Sequence, residues 1–248
     1  MSAFEWNAAH WALAVAGALL IGLSKAGFAG LGVFAVAIFA ILFPQGFSSS
    51  GIVLPMLICA DVLAVGVYRR HAVWSHVGKL MPWVIVGIVA GCALMWWLRE
   101  HTALARRLIG VTVLVMVALH LLRRRADASV PHTWWFAALT GVAAGVTTMM
   151  ANAAGPVLVL YMLAVGLPKM EFIGTGAWFF LIVNVLKVPF SHGLNLITPG
   201  TLLFNLILAP VVIAGLFLGR AIVERVNQRA FETAVLALTA VAGLRLLW

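Results

Sequence analysis

The sequence predicts an all-α polytopic membrane protein made of two inverted repeats, about residues 1–124 and 125–248, within one transmembrane domain. Three observations predict this fold class. Of the 248 residues, 64% are apolar and only 9% are charged, whereas a soluble domain carries about a quarter charged residues. The chain matches itself at one fixed offset, and its basic residues lie mainly where apolar runs end. A water-soluble domain, a disordered chain and a disulfide scaffold are thereby excluded.

The duplication is visible in residues that rarely coincide by chance. At an offset of 124 residues, Trp11 aligns with Trp135 and Pro44 with Pro168. Each half then contains about five apolar segments that are candidate membrane helices. They span about 8–24, 28–43, 52–68, 78–98 and 104–122 in the first half, and about 133–149, 154–167, 175–190, 201–219 and 230–247 in the second.

The first two segments of each half are predicted to be short for a full crossing and to flank a break in the helix. The first break, residues 24–32, is rich in glycine, and the second, residues 149–156, contains Asn152 and ends in Gly155-Pro156. Proline near the first helical position is typical of a helix start. Each pair forms either two crossings or a re-entrant hairpin, since both return the chain to the side from which it came.

The distribution of basic residues predicts how the two halves are oriented. If each half crosses the membrane an odd number of times, ten of the 16 lysines and arginines lie on the cytoplasmic side, four lie outside and two lie at membrane depth. With an even number the two sides carry seven each. The positive-inside bias therefore favours inverted repeats with both termini outside. Basic residues at the ends of apolar runs do not form a groove for nucleic acid.

Inverted repeats with paired broken helices are typical of secondary transporters, whose substrates bind near the midplane. A helix that starts at such a break presents free N–H groups and a positive dipole end, which attract an anion. Lys25 adds a charge to the first break and Asn152 an amide to the second. We therefore predict a transporter for a small anion. The candidate binding residues are Ser24, Lys25, Gly27, Gly30, Asn152, Ala153, Gly155, Thr175, Asn184 and Lys187.

The charged candidates each have a second interpretation. Lys25 could extend to the membrane interface from a helix end. Asp61, in the middle of a segment, is either a proton-coupling carboxylate or half of a buried ion pair. For Lys187, substrate contact, pairing with Asp61 and extension to the interface compete.

The uncharged candidates have structural alternatives as well. Asn184 fits either a helix–helix contact or a ligand to the substrate. The hydroxyls of Thr147, Thr148 and Thr175 could donate to an anion, although a bond back to a helix carbonyl is the more common arrangement.

Several segments together resemble the TauE/SafE family of sulfite exporters, also called the toluene-sulfonate uptake permease family. They are residues 22–32 with the apolar run to Pro44, Asp61, residues 68–71, 151–156, 174–178 and 184–189. The resemblance implies proton-coupled transport of a small sulfur-containing anion, such as sulfite, an organosulfonate or thiosulfate, across a bacterial inner membrane. The second break lacks the glycine cluster of the first, so the two half-sites need not contribute equally.

Two other function classes are weighed against a secondary transporter. A passive anion channel would differ only in lacking proton coupling. An intramembrane enzyme would need convergent nucleophiles, bases or metal ligands, and Asp61 is the one carboxylate placed firmly at membrane depth. We therefore predict no enzymatic activity, no cofactor and no metal. The partners are the anion, protons and membrane lipid, and a homodimer is compatible with the sequence; the exact substrate and the direction of transport stay open.

Overall fold

The computed structural model describes residues 7–28, 30–43, 48–97 and 134–245, with isolated positions between 101 and 118, and these ranges contain no strand. In chain order the helices are α1 (Ala8–Lys25), α2 (Gly30–Leu42), α3 (Ser48–Tyr68), α4 (Trp74–Trp97), α5 (Trp134–Ala151), α6 (Ala154–Ala164), α7 (Lys169–Gly193), α8 (Pro199–Arg225) and α9 (Gln228–Arg245), and a 3₁₀ turn, Arg69–His71, follows α3. The predicted segment at about 104–122 lies largely outside the described residues.

Six of the described helices, α1, α3, α4, α5, α7 and α8, are long and apolar enough to cross a membrane. The prediction of an all-helical polytopic membrane protein is confirmed. The prediction that the first two segments of each half are both short is wrong for the first of each pair, because α1 and α5 each have 18 residues. The prediction of a short segment holds for the second of each pair, α2 and α6. At 1.5 Å per residue, the 11 residues of α6 extend about 16 Å, against a hydrocarbon core of about 30 Å.

The two helix breaks are built from residues that adopt left-handed backbone. After α1 the φ angle of Gly27 is +115°, and a Cβ there would lie 2.9 Å from Cγ1 of Ile173. After α5 the φ angle of Asn152 is +49°, and its N–H donates to the Thr148 carbonyl at 3.0 Å. A left-handed residue bonded back in this way ends a helix. The chain then starts α6 at Ala154.

The helix bounds recur along the chain at the offset found in the sequence. α2 begins at Gly30 and α6 at Ala154, which is 124 residues later, and α4 and α8 begin 125 residues apart, at Trp74 and Pro199. The packing is reciprocal, because α1 lies along α8 and α4 lies along α5. The first helix of each half thus packs against the fourth helix of the other half.

Both of these reciprocal helix pairs cross at glycines. A Cβ on Gly87 of α4 would lie 2.3 Å from the Val142 carbonyl oxygen of α5, and one on Gly215 of α8 would lie 2.4 Å from that of Leu19 on α1. Only glycine lets the backbones approach so closely, as in small-residue helix crossings within membranes. The glycines at positions 87 and 215 are therefore packing residues of these two crossings.

α3 and α7 run antiparallel through the centre of the molecule. The start of α3 lies against the segment after α7, since a Cβ on Gly51 would be 2.3 Å from Leu196. Its end lies near the start of α7, where a Cβ on Gly174 would be 2.8 Å from the Tyr68 carbonyl oxygen. α3 also contacts α1, α2 and α8. Polar side chains in the middle of α3 and α7 are therefore surrounded by protein.

Candidate functional site

The first group of polar side chains converges on Asp61, which lies in the middle of α3 and is fully buried. Its Oδ1 lies 2.7 Å from Nζ of Lys25, at the end of α1, and its Oδ2 accepts a hydrogen bond of 2.6 Å from Nδ2 of Asn184 on α7. The Lys25 Nζ also lies 4.3 Å from the centre of the Phe180 ring, which is a cation–π distance. Three helices therefore meet at one carboxylate.

This arrangement decides between the interpretations of the charged candidates. Asp61 does form a buried ion pair, and its partner is Lys25 rather than Lys187. Lys25 does not extend to an interface, because its side chain is only 7% exposed. Neither observation tests the coupling role of Asp61, since a carboxylate that binds a proton during transport also needs a partner in its ionised form.

The second group surrounds Lys187 of α7, which is 1% exposed. Its Nζ donates to the Thr148 carbonyl oxygen at 3.2 Å, to Oγ1 of Thr148 at 3.0 Å and to Oδ1 of Asn152 at 2.5 Å. The Nδ2 of Asn152 in turn donates to the carbonyl oxygen and Oγ of Ser50, at 3.0 Å and 3.2 Å. Asn152 thus links the break between α5 and α6 to the start of α3.

Every acceptor of Lys187 among the described residues is electrically neutral. A buried ammonium is costly unless a charge of opposite sign compensates it. Lys25, by contrast, has the Asp61 carboxylate. The local excess of positive charge therefore lies at Lys187, next to the Asn152 amide.

The two groups form one continuous line of polar side chains, because Asn184 and Lys187 are three residues apart and lie on the same face of α7. The line covers about 16 Å of α3 between Asp61 and Ser50, at 1.5 Å per residue. We call this line the polar track. It consists of Lys25, Ser50, Asp61, Thr148, Asn152, Asn184 and Lys187.

The predicted small residues lie at the two breaks between helices. Ser24 is buried and its Oγ donates to the Ile21 carbonyl oxygen at 2.7 Å, within its own helix. Gly30 begins α2. Ala153 and Gly155 are buried at the start of α6, and Ala153 provides no side-chain cap for that helix. The first N–H groups of α6 therefore lie beside Asn152 without a capping side chain.

The structure does not bring Thr175 to the polar track. Its Oγ1 accepts a hydrogen bond of 2.9 Å from the N–H of Val73, in the turn between α3 and α4. It lies nine residues before Asn184, which is about 13 Å along α7. The hydroxyl accepts from a neighbouring turn instead of donating to its own helix, so Thr175 stabilises the connection from α3 to α4. Thr147 does follow the common arrangement, with its hydroxyl 2.8 Å from the Ala143 carbonyl.

Sequence reasoning omitted two residues that belong to this region. The run of three serines at positions 48–50, at the start of a segment, was a signal for Ser50. Phe180 had no such signal, because an aromatic side chain inside an apolar run is ordinarily part of the core. Its position one turn from Asn184 becomes meaningful only with Lys25 beside it.

Comparison with known proteins bears on the whole chain. The family model described as "Sulfite exporter TauE/SafE" matches residues 14–246. The chain belongs to the TauE/SafE family. The resemblance inferred from the sequence is confirmed, and membership implies a membrane exporter of sulfite or a related sulfur anion. No curated protein and no solved structure matches the chain.

In this TauE/SafE protein, the segments that carried the resemblance also supply five of the seven residues of the polar track, all except Ser50 and Thr148. Lys25 comes from the first break, Asn152 from the second, and Asn184 and Lys187 from the segment 184–189. Across the described residues, no three His, Cys, Asp or Glu side chains lie close enough together to hold a metal ion. The chemistry of the site is that of two ammonium groups, one carboxylate and several neutral donors.

Proposed function

We propose that this TauE/SafE protein is a secondary transporter that moves a small sulfur-containing anion across the cytoplasmic membrane by alternating access, coupled to protons. The anion binds on the polar track beside Lys187 and the start of α6. The observation that carries this proposal is Lys187 itself, which is 1% exposed and has only neutral acceptors among the described residues. An anion supplies the charge that its surroundings lack.

The neighbouring groups suit an oxyanion of sulfur. A sulfite or sulfonate group has three oxygens, each of which accepts hydrogen bonds. Lys187 offers a charged donor, Asn152 offers an amide, and the uncapped start of α6 offers backbone N–H groups. Bonds from an ammonium to an anion are about twice as strong as those to neutral acceptors. The ammonium group of Lys187 is therefore more strongly stabilised when its hydrogen bond to Thr148 is replaced by one to the anion.

Asp61 is the proposed coupling residue. Its ionised form is stabilised by Lys25 at 2.7 Å and by Asn184 at 2.6 Å. An anion that brings more negative charge than the two lysines have in excess weakens this stabilisation and favours the protonated acid. Linkage requires the converse, so protonation of Asp61 strengthens the binding of such an anion.

Alternating access by two inverted repeats is supported by the internal duplication. The helix bounds recur at an offset of about 124 residues, and each first helix packs against the fourth helix of the other half. A rocking motion of one half against the other would move both of these pairs together. The bias of basic residues supports opposite orientations for the halves and outer positions for both termini.

Burial of the polar track favours a carrier over a passive channel. Asp61 and Lys187 are 0% and 1% exposed, whereas the selective part of an open channel is in contact with water. The enzyme alternative has little support, because both oxygens of the Asp61 carboxylate already face Lys25 and Asn184. Transport also agrees with the family to which the chain belongs.

The proposal is tested with the purified protein in detergent and in liposomes, with methanesulfonate, thiosulfate and sulfite as the anions. We expect Lys187→Met to weaken anion binding about ten- to a hundredfold, which corresponds to the loss of a charged hydrogen bond of about 1.5–3 kcal/mol. The variant should fold, because no carboxylate loses its partner. Asn152→Gly keeps the left-handed backbone and removes only the amide, so its loss of affinity should be smaller.

Lys169→Met is the matched control. Lys169 donates to the carbonyl oxygens of Val223 and Val226 at the end of α8, at 2.9 Å and 2.6 Å, and is not part of the polar track. Equal affinities for the Lys187 and Lys169 variants would show that the site is misplaced. Failure of the unmodified protein to bind any of the three anions would overturn the proposed substrate class.

A further inference from the structure

Three charged side chains determine the net charge of the polar track. Lys25 and Lys187 are cations and Asp61 is an anion in their ionised forms, and all three side chains are at least nine-tenths buried. The other members of the track, Asn184 and Asn152 among them, are neutral. With all three groups ionised, the empty track therefore carries one net positive charge.

The helices that pack around Asp61 add no further charge near it. α1 contributes Lys25 and α7 contributes Lys187, whereas the other titratable residues of α7, Lys169, Glu171 and His192, lie near its two ends. α2 and α5 contain no charged residue. The charged residues of α8 lie in its last six positions, where Arg220 and Glu224 pair with each other at 2.7 Å. On α3 itself the other titratable groups are Cys59 and Tyr68, which are neutral as thiol and phenol. The charge balance is thus set by two lysines and one carboxylate.

A buried site is most stable when its charges cancel, since an uncompensated charge in a low-dielectric environment is costly. A monoanion cancels the positive charge of the track while Asp61 stays ionised. A dianion would leave one negative charge in excess. That excess disappears when one proton joins the site, and Asp61 is the carboxylate available to take it.

Resting on the proposed function, we propose that the polar track distinguishes anions by their charge. A monoanion, such as an organosulfonate, binds without a proton, whereas a dianion, such as thiosulfate, binds together with one proton that is carried on Asp61. The proton comes from solution and forms an O–H bond at the carboxylate, and no other bond changes. In either case the loaded site is neutral.

The contacts of Asp61 indicate how protonation would help a dianion. Oδ2 accepts from Asn184, and Oδ1 faces Lys25, so a proton on Oδ1 replaces the ion pair with a neutral group. Lys25 remains cationic, with the Phe180 ring 4.3 Å from its Nζ. A dianion then faces two ammonium groups that no carboxylate neutralises, Lys25 and Lys187.

The test compares two anions that do not change their own protonation near neutral pH. Thiosulfate stays a dianion and methanesulfonate a monoanion between about pH 6 and about pH 8, whereas sulfite titrates in this range and is unsuitable. Binding to the full-length protein in detergent is measured by calorimetry at several pH values and in two buffers of different ionisation enthalpy. The difference between buffers counts the protons taken up.

For the unmodified protein we expect the dissociation constant of thiosulfate to rise about tenfold per pH unit, with uptake of about one proton per anion. The dissociation constant of methanesulfonate should be independent of pH, and its binding should take up no proton. Asp61→Asn should bind thiosulfate without pH dependence and should prefer it to methanesulfonate, because its track carries two positive charges. Glu171→Gln, which removes a carboxylate at the start of α7 outside the track, should behave like the unmodified protein.

Equal pH dependence for the two anions in the unmodified protein would overturn the inference, and this comparison holds whether or not Asp61→Asn folds. Persistence of the thiosulfate slope in a folded Asp61→Asn variant would overturn the assignment of the proton to Asp61. Both outcomes leave anion transport intact as the proposed function, because both anions bind, but the second would also remove Asp61 as the proposed coupling residue. Absence of binding by either anion would overturn the proposed function and this inference with it.

Discussion

Replacing Lys25 with methionine would leave the Asp61 carboxylate buried without its cation. Asp61 is 0% exposed and Lys25 7% exposed, with 2.7 Å between Nζ and Oδ1. After the substitution, Asn184 remains as a neutral donor to Oδ2. Removal of one partner from a buried ion pair costs about 3–5 kcal/mol, because the other charge stays desolvated. We therefore expect Lys25→Met to lower the free energy of unfolding by this amount.

A second ion pair of the same length provides the matched control. Arg220 and Glu224 also lie 2.7 Å apart, but their side chains are 43% and 54% exposed. An exposed pair separated by one helical turn contributes about 0.3–0.5 kcal/mol. Arg220→Met should therefore be nearly neutral, although the two pairs have the same geometry. The comparison isolates burial as the cause.

The double variant Lys25→Met with Asp61→Asn completes the experiment. Because neither charge remains, it should recover most of the stability lost in Lys25→Met. The measurement is reversible unfolding in mixed detergent micelles, with retained helix content as the check on folding. A loss below about 1 kcal/mol in Lys25→Met, or a double variant that loses the sum of the single losses, would refute the reasoning.

Two further predictions concern packing and the role of Thr175. Gly87→Val should separate α4 from α5 and cost at least about 1–3 kcal/mol in unfolding free energy, because its Cβ would lie 2.3 Å from a carbonyl oxygen. The control Gly66→Ala has nothing within 4 Å of its Cβ and should be tolerated. Similar losses of stability in the two variants would contradict the close helix crossing at Gly87. Thr175→Val should cost about 1–3 kcal/mol by leaving the Val73 N–H without its acceptor, with unchanged anion affinity in the same calorimetric assay. A selective loss of affinity would return Thr175 to the binding site.

Helix positions were largely predictable from the sequence because the membrane imposes a strong length and polarity constraint. The predicted segment 201–219 lies within α8, and the predicted segment 154–167 begins where α6 begins. The breaks were predictable for the same reason, since glycine, asparagine and proline interrupt an apolar helix in recognisable ways. Segment lengths were less predictable. α5 extends two residues beyond the expected 149, because Asn152 rather than Met149 supplies the left-handed residue that ends the helix.

The sequence also contained most members of the polar track, because charged and amide residues are rare in apolar segments and each one needs a reason. The sequence did not show which residues each of them contacts. Lys187 was named as a candidate to pair with Asp61, and only the packing of α1 against α3 shows that Lys25 is the partner. Thr175 resembled a binding residue until the turn after α3 was seen to use its hydroxyl.

Composition and the distribution of apolar residues by themselves determined that this protein is a helical membrane protein, and the 124-residue repeat predicted its internal duplication. Those properties depend on residue type and on spacing along the chain, which a sequence records directly. Tertiary structure alone decided that one lysine is neutralised and the other is not. The distance between two charges on different helices depends on how those helices pack, and positions 36 and 126 residues from Asp61, where Lys25 and Lys187 lie, carry no local signal of which one contacts it. Lys25 therefore faces the Asp61 carboxylate, whereas Lys187 faces the neutral oxygens of Thr148 and Asn152.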